Sequence, residues 1–280
     1  MATQQVEFLP TDHGQLRYQW RPGSGIGFVF IHEMGGSLDS WQAVWDLLPG
    51  DATALRYDFC VGSEVPRDGV ASVEQRVAEL AHLLDRIGIA GPLFLVGDAV
   101  GAAIALGFAA RYPARVEHVL ALAPACGVHP DRVAATRQKA KEIRDDGSLR
   151  GFMPLVDLAW PPACRRDDGR FACYVKSLQG VDPADVADTL DMLADMWFDA
   201  VLPQVSAPTT LVGGQHDGLR PPAEISRLAN LIPAAQVRIV DAGHFIHIER
   251  PELVVEMLND CRSLPHGAHG ADNDNIGERG

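Results

Sequence analysis

Residues 93–101 read Leu93-Phe94-Leu95-Val96-Gly97-Asp98-Ala99-Val100-Gly101. Four large apolar residues run into a glycine, and a second glycine follows four positions on. An uninterrupted apolar run of this kind is expected of a strand buried on both faces. The small-residue stretch behind it, up to Ala110, predicts a helix beginning near residue 99. A strand that enters a helix through so short a turn has no room for side chains at its flanks, which gives both glycines a steric purpose. The tip residue, Ala99, is then held in a strained conformation at the carboxyl end of the strand. The N-terminus of the following helix offers oriented N–H groups to an anion.

Outward from this turn the same alternation recurs. Residues 5–10 and 15–20 alternate apolar and polar around Asp12-His13-Gly14, a hairpin signal. Residues 26–31 form a second buried apolar run, a helix is expected at about 38–48, and a strand at 53–58. Val73, Val77, Leu80, Leu84 and Ile87 share one face of a helix over 72–88. A strand is expected over Val116–Ala123. A hairpin followed by strand–helix repeats predicts an α/β fold, a mostly parallel sheet with helices on both faces.

The alternation stops near Gly127. Residues 130–146 and 182–196 have helical period, and 147–181 carry Pro, Gly and paired charges. Strand and helix resume at Thr209–Val212, Pro222–Leu231, Val237–Val240 and Glu252–Cys261. The expected organisation is a core of residues 1–126 and 204–264, with a helical cap inserted at 127–203. From about Pro265 to 280 the chain is nearly devoid of apolar residues, and a disordered tail is expected there.

The chain has 280 residues, 47% of them apolar and 22% charged, which suits a globular fold and excludes collagen, coiled coil and global disorder. It can bury a large core without metals or cross-links. Its 37 acids against 24 bases give a net charge of -13, which disfavours nucleic acid and anionic membrane surfaces as partners. The partner expected is a small-molecule substrate, with room left for a homo-oligomer. The longest apolar stretch, Ala99 to Ala110, falls short of the roughly 20 residues that span a bilayer. The N-terminus lacks the basic and apolar regions of a signal peptide. Five cysteines without a Cys-x-x-Cys pair read as reduced, mostly buried thiols of a cytoplasmic protein. No cofactor and no metal is expected, because no glycine fingerprint follows the first strand and the histidines lack ligand spacing.

Three further signals follow in a fixed order. His32-Glu33-Met34-Gly35-Gly36 ends an early buried strand, Gly213-Gly214-Gln215-His216-Asp217 ends the strand after the insertion, and Asp241-Ala242-Gly243-His244-Phe245 ends the last strand. A tight turn with glycines at its flanks, then an acid, then a histidine is the order of the α/β-hydrolases, whose turn reads Gly-x-Ser-x-Gly. Over about residues 5–263 the sequence resembles that superfamily. His32 to Trp41 and Gly214 to Pro222 are most similar to its 3-oxoadipate enol-lactonase-like branch, associated with aromatic-compound catabolism. The resemblance implies a catalytic pair of His244 and Asp217, an oxyanion hole from the N–H groups of Met34 and Val100, and a cap that shapes the pocket. Glu33, Trp160 and Trp197 are candidates for the pocket wall, although the two tryptophans also suit the core of the cap. Asp241 is a weaker alternative to Asp217, His32 is expected to brace its loop, and His247 is expected at a helical turn as surface or packing.

Two positions depart from the family pattern. Glu33 stands where glycine is usual. Ala99 stands where the family has its nucleophilic serine, and alanine cannot attack. Asp98 is adjacent, and dehalogenase-like relatives use aspartate at the tip, but the glycine frame puts Ala99 there and turns Asp98 toward the surrounding loops. Three readings follow. The alanine is a replaced serine; or it is native, as in the aminoacrylate-hydrolase-like branch, with His244 activating water or abstracting a proton; or the chain is a ligand-binding pseudo-hydrolase. The expectation is a cofactor-independent hydrolase of a small ester, enol-lactone or ring-cleavage product.

Overall fold

The structure is a computed structural model that describes residues 5–11, 14–25, 27–59, 72–89 and 91–263. The hairpin turn at Asp12-His13 and the tail at 265–280 lie outside the described residues. In chain order the elements are β1 (Val6–Thr11), β2 (Gly14–Arg21), β3 (Gly27–Ile31), α1 (Gln42–Leu47), β4 (Thr53–Tyr57), α2 (Val73–Arg86), β5 (Leu93–Asp98), α3 (Val100–Arg111), β6 (Val116–Leu122), α4 (Pro130–Asp146), α5 (Met153–Ala159), α6 (Arg170–Ser177), α7 (Pro183–Asp195), β7 (Thr209–Gly214), α8 (Pro222–Ala229), β8 (Ala235–Val240), α9 (Ile246–Glu249) and α10 (Pro251–Ser263).

The eight strands form one sheet in the order β1-β2-β4-β3-β5-β6-β7-β8. β1 and β2 pair antiparallel, β2 joins β4 antiparallel, and the remaining neighbours are parallel. Alternation along each inner strand fills both faces. Val29 and Ile31 of β3 and Leu93 and Leu95 of β5 pack with α2 and α3, whereas Phe28, Phe30, Phe94 and Val96 pack with α1 and α10. That two-sided burial is why these strands read as unbroken apolar runs. α3 is buried from Val100 to Ala109, which explains its lack of a polar face.

The helix expected at 38–48 is split. Ser37 caps a 3-10 turn over Leu38–Trp41, with Ser40 completing a reciprocal cap, and α1 continues from Gln42. Between β6 and β7 the described residues form helices, apart from an isolated bridge between Gly127 and Trp197. α4 and α7 fall where helical period placed them. The intervening stretch, legible only as Pro, Gly and paired charges, contains α5 and α6. Phe152, Val156, Trp160, Tyr174, Leu178, Val186 and Leu190 make a third apolar cluster that also takes in Phe245.

Candidate active site

The turn after β5 is built by exclusion. A Cβ on Gly97 would lie 2.3 Å from the carbonyl oxygen of Gly101, and one on Gly101 would lie 2.2 Å from that of Ile31. Neither position can accept a side chain without moving backbone. Ala99 sits between them at φ 51°, ψ −114°, a left-handed conformation costly for a residue with a Cβ. Its N–H donates to Leu122 O at 2.9 Å and its carbonyl accepts from Ala125 N at 3.0 Å, so the turn is tied to the end of β6. Val100 opens α3, and its N–H therefore has no intrahelical acceptor.

His244 and Asp217 meet after two different strands. His244 Nδ1 and Asp217 Oδ2 are 2.7 Å apart, and both side chains are almost wholly buried. The other carboxylate oxygen of Asp217 accepts the N–H groups of Leu219 at 2.7 Å and Arg220 at 2.9 Å. Burial opposes charge on both partners, but their mutual attraction prevails: Asp217 is lowered below the usual carboxylate range, and His244 is raised above 6.5. Because Nδ1 is committed to Asp217, Nε2 is the nitrogen left to take a proton. Asp241 is exposed and pairs with His216 and Arg250 instead of His244.

Ala99 and His244 line a cavity of about 330 Å³, walled by Met34, Val100, Phe152, Leu193 and Trp197 among others. Arg132 and Arg220 are also on its wall. Cys126 reaches the same cavity, but burial pushes its thiol up to about 12, so it is no thiolate at neutral pH. Of the described cysteines, Cys126 and Cys261 are buried and Cys173 is exposed, so the expectation of mostly buried thiols holds for only part of them.

The two tryptophans part company. Trp197 is half exposed and lines the cavity, whereas Trp160 is buried among Phe171, Tyr174 and Phe245 in the helical segment and does not line it. The pocket assignment of Trp160 is therefore corrected: its ring is large and flat enough to fill the core between α5, α6 and the His244 loop. His32 braces its loop, with Nδ1 donating to Glu33 O at 2.7 Å and Nε2 accepting from Phe59 N at 3.3 Å.

Glu33, Asp98 and His247 were not legible as a group. Glu33 borders the cavity, but its carboxylate turns away into the protein, over Gly36, where a Cβ would come within 2.3 Å of it. There Glu33 Oε2 lies 3.1 Å from His247 Nε2, and Asp98 Oδ1 lies 3.3 Å from His247 Nδ1, with all three side chains fully buried. His247 is thus neither surface nor neutral filler, and Asp98 points into the protein under the turn, where it cannot act as a nucleophile. The available signal was the coincidence of two acids at unusual motif positions with one unassigned histidine. Glu249 was also missed: its carboxylate accepts Gly243 N at 2.8 Å and Phe245 N at 3.2 Å, on either side of His244. Burial raises it to about 7 despite those two donors.

Among the described residues no helix is long and apolar enough to cross a membrane, and no cluster of three or more His, Cys, Asp or Glu is placed to hold a metal. Residues 28–257 match the model of the alpha/beta hydrolase family, and the chain belongs to that family. Pyrrolizixenacetamide deacetylase of Xenorhabdus hominickii is 24% identical over 246 residues, covering 84% of this chain and 90% of the relative. The pimeloyl-acyl-carrier-protein methyl ester esterase of Aromatoleum aromaticum is 28% identical over 248 residues, covering 83% of this chain and 96% of the relative. Among solved structures, the enol-lactonase from Burkholderia xenovorans superposes with a TM-score of 0.79 at 22% identity, covering 92% of this chain and all of the neighbour, which shows a shared fold.

Proposed function

We propose that this chain hydrolyses a small ester, lactone or related acyl compound by direct attack of water, with His244 as general base. The observation that carries this reading is the intact His244–Asp217 pair beside an elbow whose tip carries no nucleophile. Water loses a proton to His244 Nε2 as its oxygen bonds to the substrate carbonyl carbon. The N–H groups of Met34 and Val100 receive the oxyanion, and each such donor is worth on the order of 10²–10³ in rate. Collapse of the tetrahedral species expels the leaving group, which takes the proton back from His244. Asp217 fixes the histidine tautomer and stabilises its imidazolium. The family membership supports the fold of this scheme, and acyl cleavage by the deacetylase and methyl-esterase relatives supports its bond class. The helical segment 127–203 serves as the cap, and the volume and apolar wall of the cavity favour a compact substrate.

The alanine also favours a second reading, a binding protein that keeps the scaffold without turnover. A panel of activated esters, lactones and ring-cleavage products separates the two. The unmodified chain should turn over at least one class while intact-mass measurement during turnover finds no acyl adduct. Ala99→Ser should then add little, or slow the reaction by taking the place of the attacking water. Binding without turnover in both forms supports the second reading. A covalent burst and a large gain confined to Ala99→Ser would show that the chemistry needs a serine.

A further inference from the structure

The buried group of Glu33, Asp98 and His247 joins two segments that are 65 positions apart in sequence. Glu33 directly precedes Met34, and Asp98 stands two residues before Val100. His247, in α9, lies between the two carboxylates at 3.1 and 3.3 Å, with the Trp41 ring 4.3 Å away. Ser40 Oγ donates to the second oxygen of Glu33 at 2.9 Å. The Glu33, Asp98 and His247 side chains expose no surface.

A neutral imidazole has one N–H and one lone pair. It satisfies one of two flanking carboxylates and turns its lone pair on the other, which leaves a buried anion facing like charge. Such a group is costly to bury. An imidazolium has an N–H for each side. Burial acts against that cation, yet Asp98 and Glu33 outweigh it and raise His247 to about 10. Other ionisable groups acting on the carboxylates are His32 near Glu33, His244 and Glu249 near Asp98, and Tyr174 near both acids.

We propose that His247 is a positioning residue: one cation that ties the Met34 loop to the Val100 turn and so sets the separation of the two N–H donors. The donors' catalytic use rests on the function proposed above, but the tie does not.

The test therefore avoids turnover. Ring ¹⁵N NMR of the full chain should show both nitrogens of His247 protonated at pH 8; a neutral ring at that pH overturns the proposal without any substitution. Amide hydrogen exchange then reads the coupling in the nearly isosteric variants Glu33→Gln and Asp98→Asn. Each should speed exchange at both Gly36, whose N–H donates to Glu33 O beside Met34, and Ala103, whose N–H donates to Ala99 O beside Val100, by about tenfold, while the β5 amide of Leu95 keeps its protection as the control for global unfolding. The crossed effects decide: Glu33→Gln must loosen Ala103, and Asp98→Asn must loosen Gly36. If each substitution loosens only its own segment, no tie exists. Should one variant fail to fold, the other and the ring shifts still decide. Absence of turnover in the unmodified chain would sink the hydrolase reading and leave these readouts standing.

Discussion

Asp217 does more than neutralise a histidine. Its Oδ1 already accepts two backbone N–H groups, so in Asp217→Asn the amide oxygen must take that side. The NH₂ group is then left facing His244 Nδ1, which forces the proton onto Nε2 and removes the base. The expected result is a fall in kcat of up to about 10⁴ with modest change in KM. The pH profile carries a second signature. His244 works only when neutral, and its pKa is raised above 6.5, so the rate of the unmodified protein should climb through a limb above that value. Asp217→Asn should move the limb downward, because the carboxylate that favours the imidazolium is gone. An unmoved limb, or a larger loss from Asp241→Asn, would mean that another acid holds the histidine. At this scale Ala99, Asp217 and His244 were legible because each comes just after a strand, within two residues of a glycine. The Glu33–Asp98–His247 group was not, since nothing in spacing along the chain brings together residues from three separate segments.

The C-terminus of α5 holds the loops of Asp217 and His244. The last carbonyls of a helix lack intrahelical donors; here Leu158 O accepts from Gly218 N at 3.1 Å, and Ala159 O accepts from His244 N at 2.7 Å. A helix from the inserted segment thus positions the loop of the acid and the loop of the base. Gly243 permits the second contact, because a Cβ there would lie 2.4 Å from Ala159 O. Gly243→Ala should therefore push the His244 loop away from α5. Stability should fall by about 1–3 kcal/mol, as for other overpacked sites. At temperatures where the variant is folded, kcat should still fall about ten- to a hundredfold, a size seen when a reacting group is misplaced by an ångström. Urea unfolding and steady-state kinetics check both, and unchanged kcat would show that the contact is structural only. α5 escaped sequence reading because it is short, begins with Met153-Pro154 and lies among turn residues, whereas α4 and α7 are long enough to show their period. The inner strands β3, β5, β6 and β7 were legible because they are buried on both faces.

At the scale of the molecule, the parallel strands bring their carboxyl ends to one edge of the sheet, and the site is assembled there from the loops after β3, β5, β7 and β8. The segment between β6 and β7 contributes Phe152, Val156 and Leu190 to the wall of the cavity that Ala99 and His244 also line. The edge of the sheet that carries the site could be read from motif order alone. The shape of the cavity could not, since it depends on how separate segments of the chain pack. The hydrolysis proposed for this arrangement rests on His244 taking a proton from water. The most direct measurement is kcat/KM of His244→Ala against the unmodified chain, on the best substrate of the ester and lactone panel, with circular dichroism confirming that both are folded. A loss of about 10²–10⁴-fold is the result predicted for a general base. Equal kcat/KM in the two proteins would contradict it.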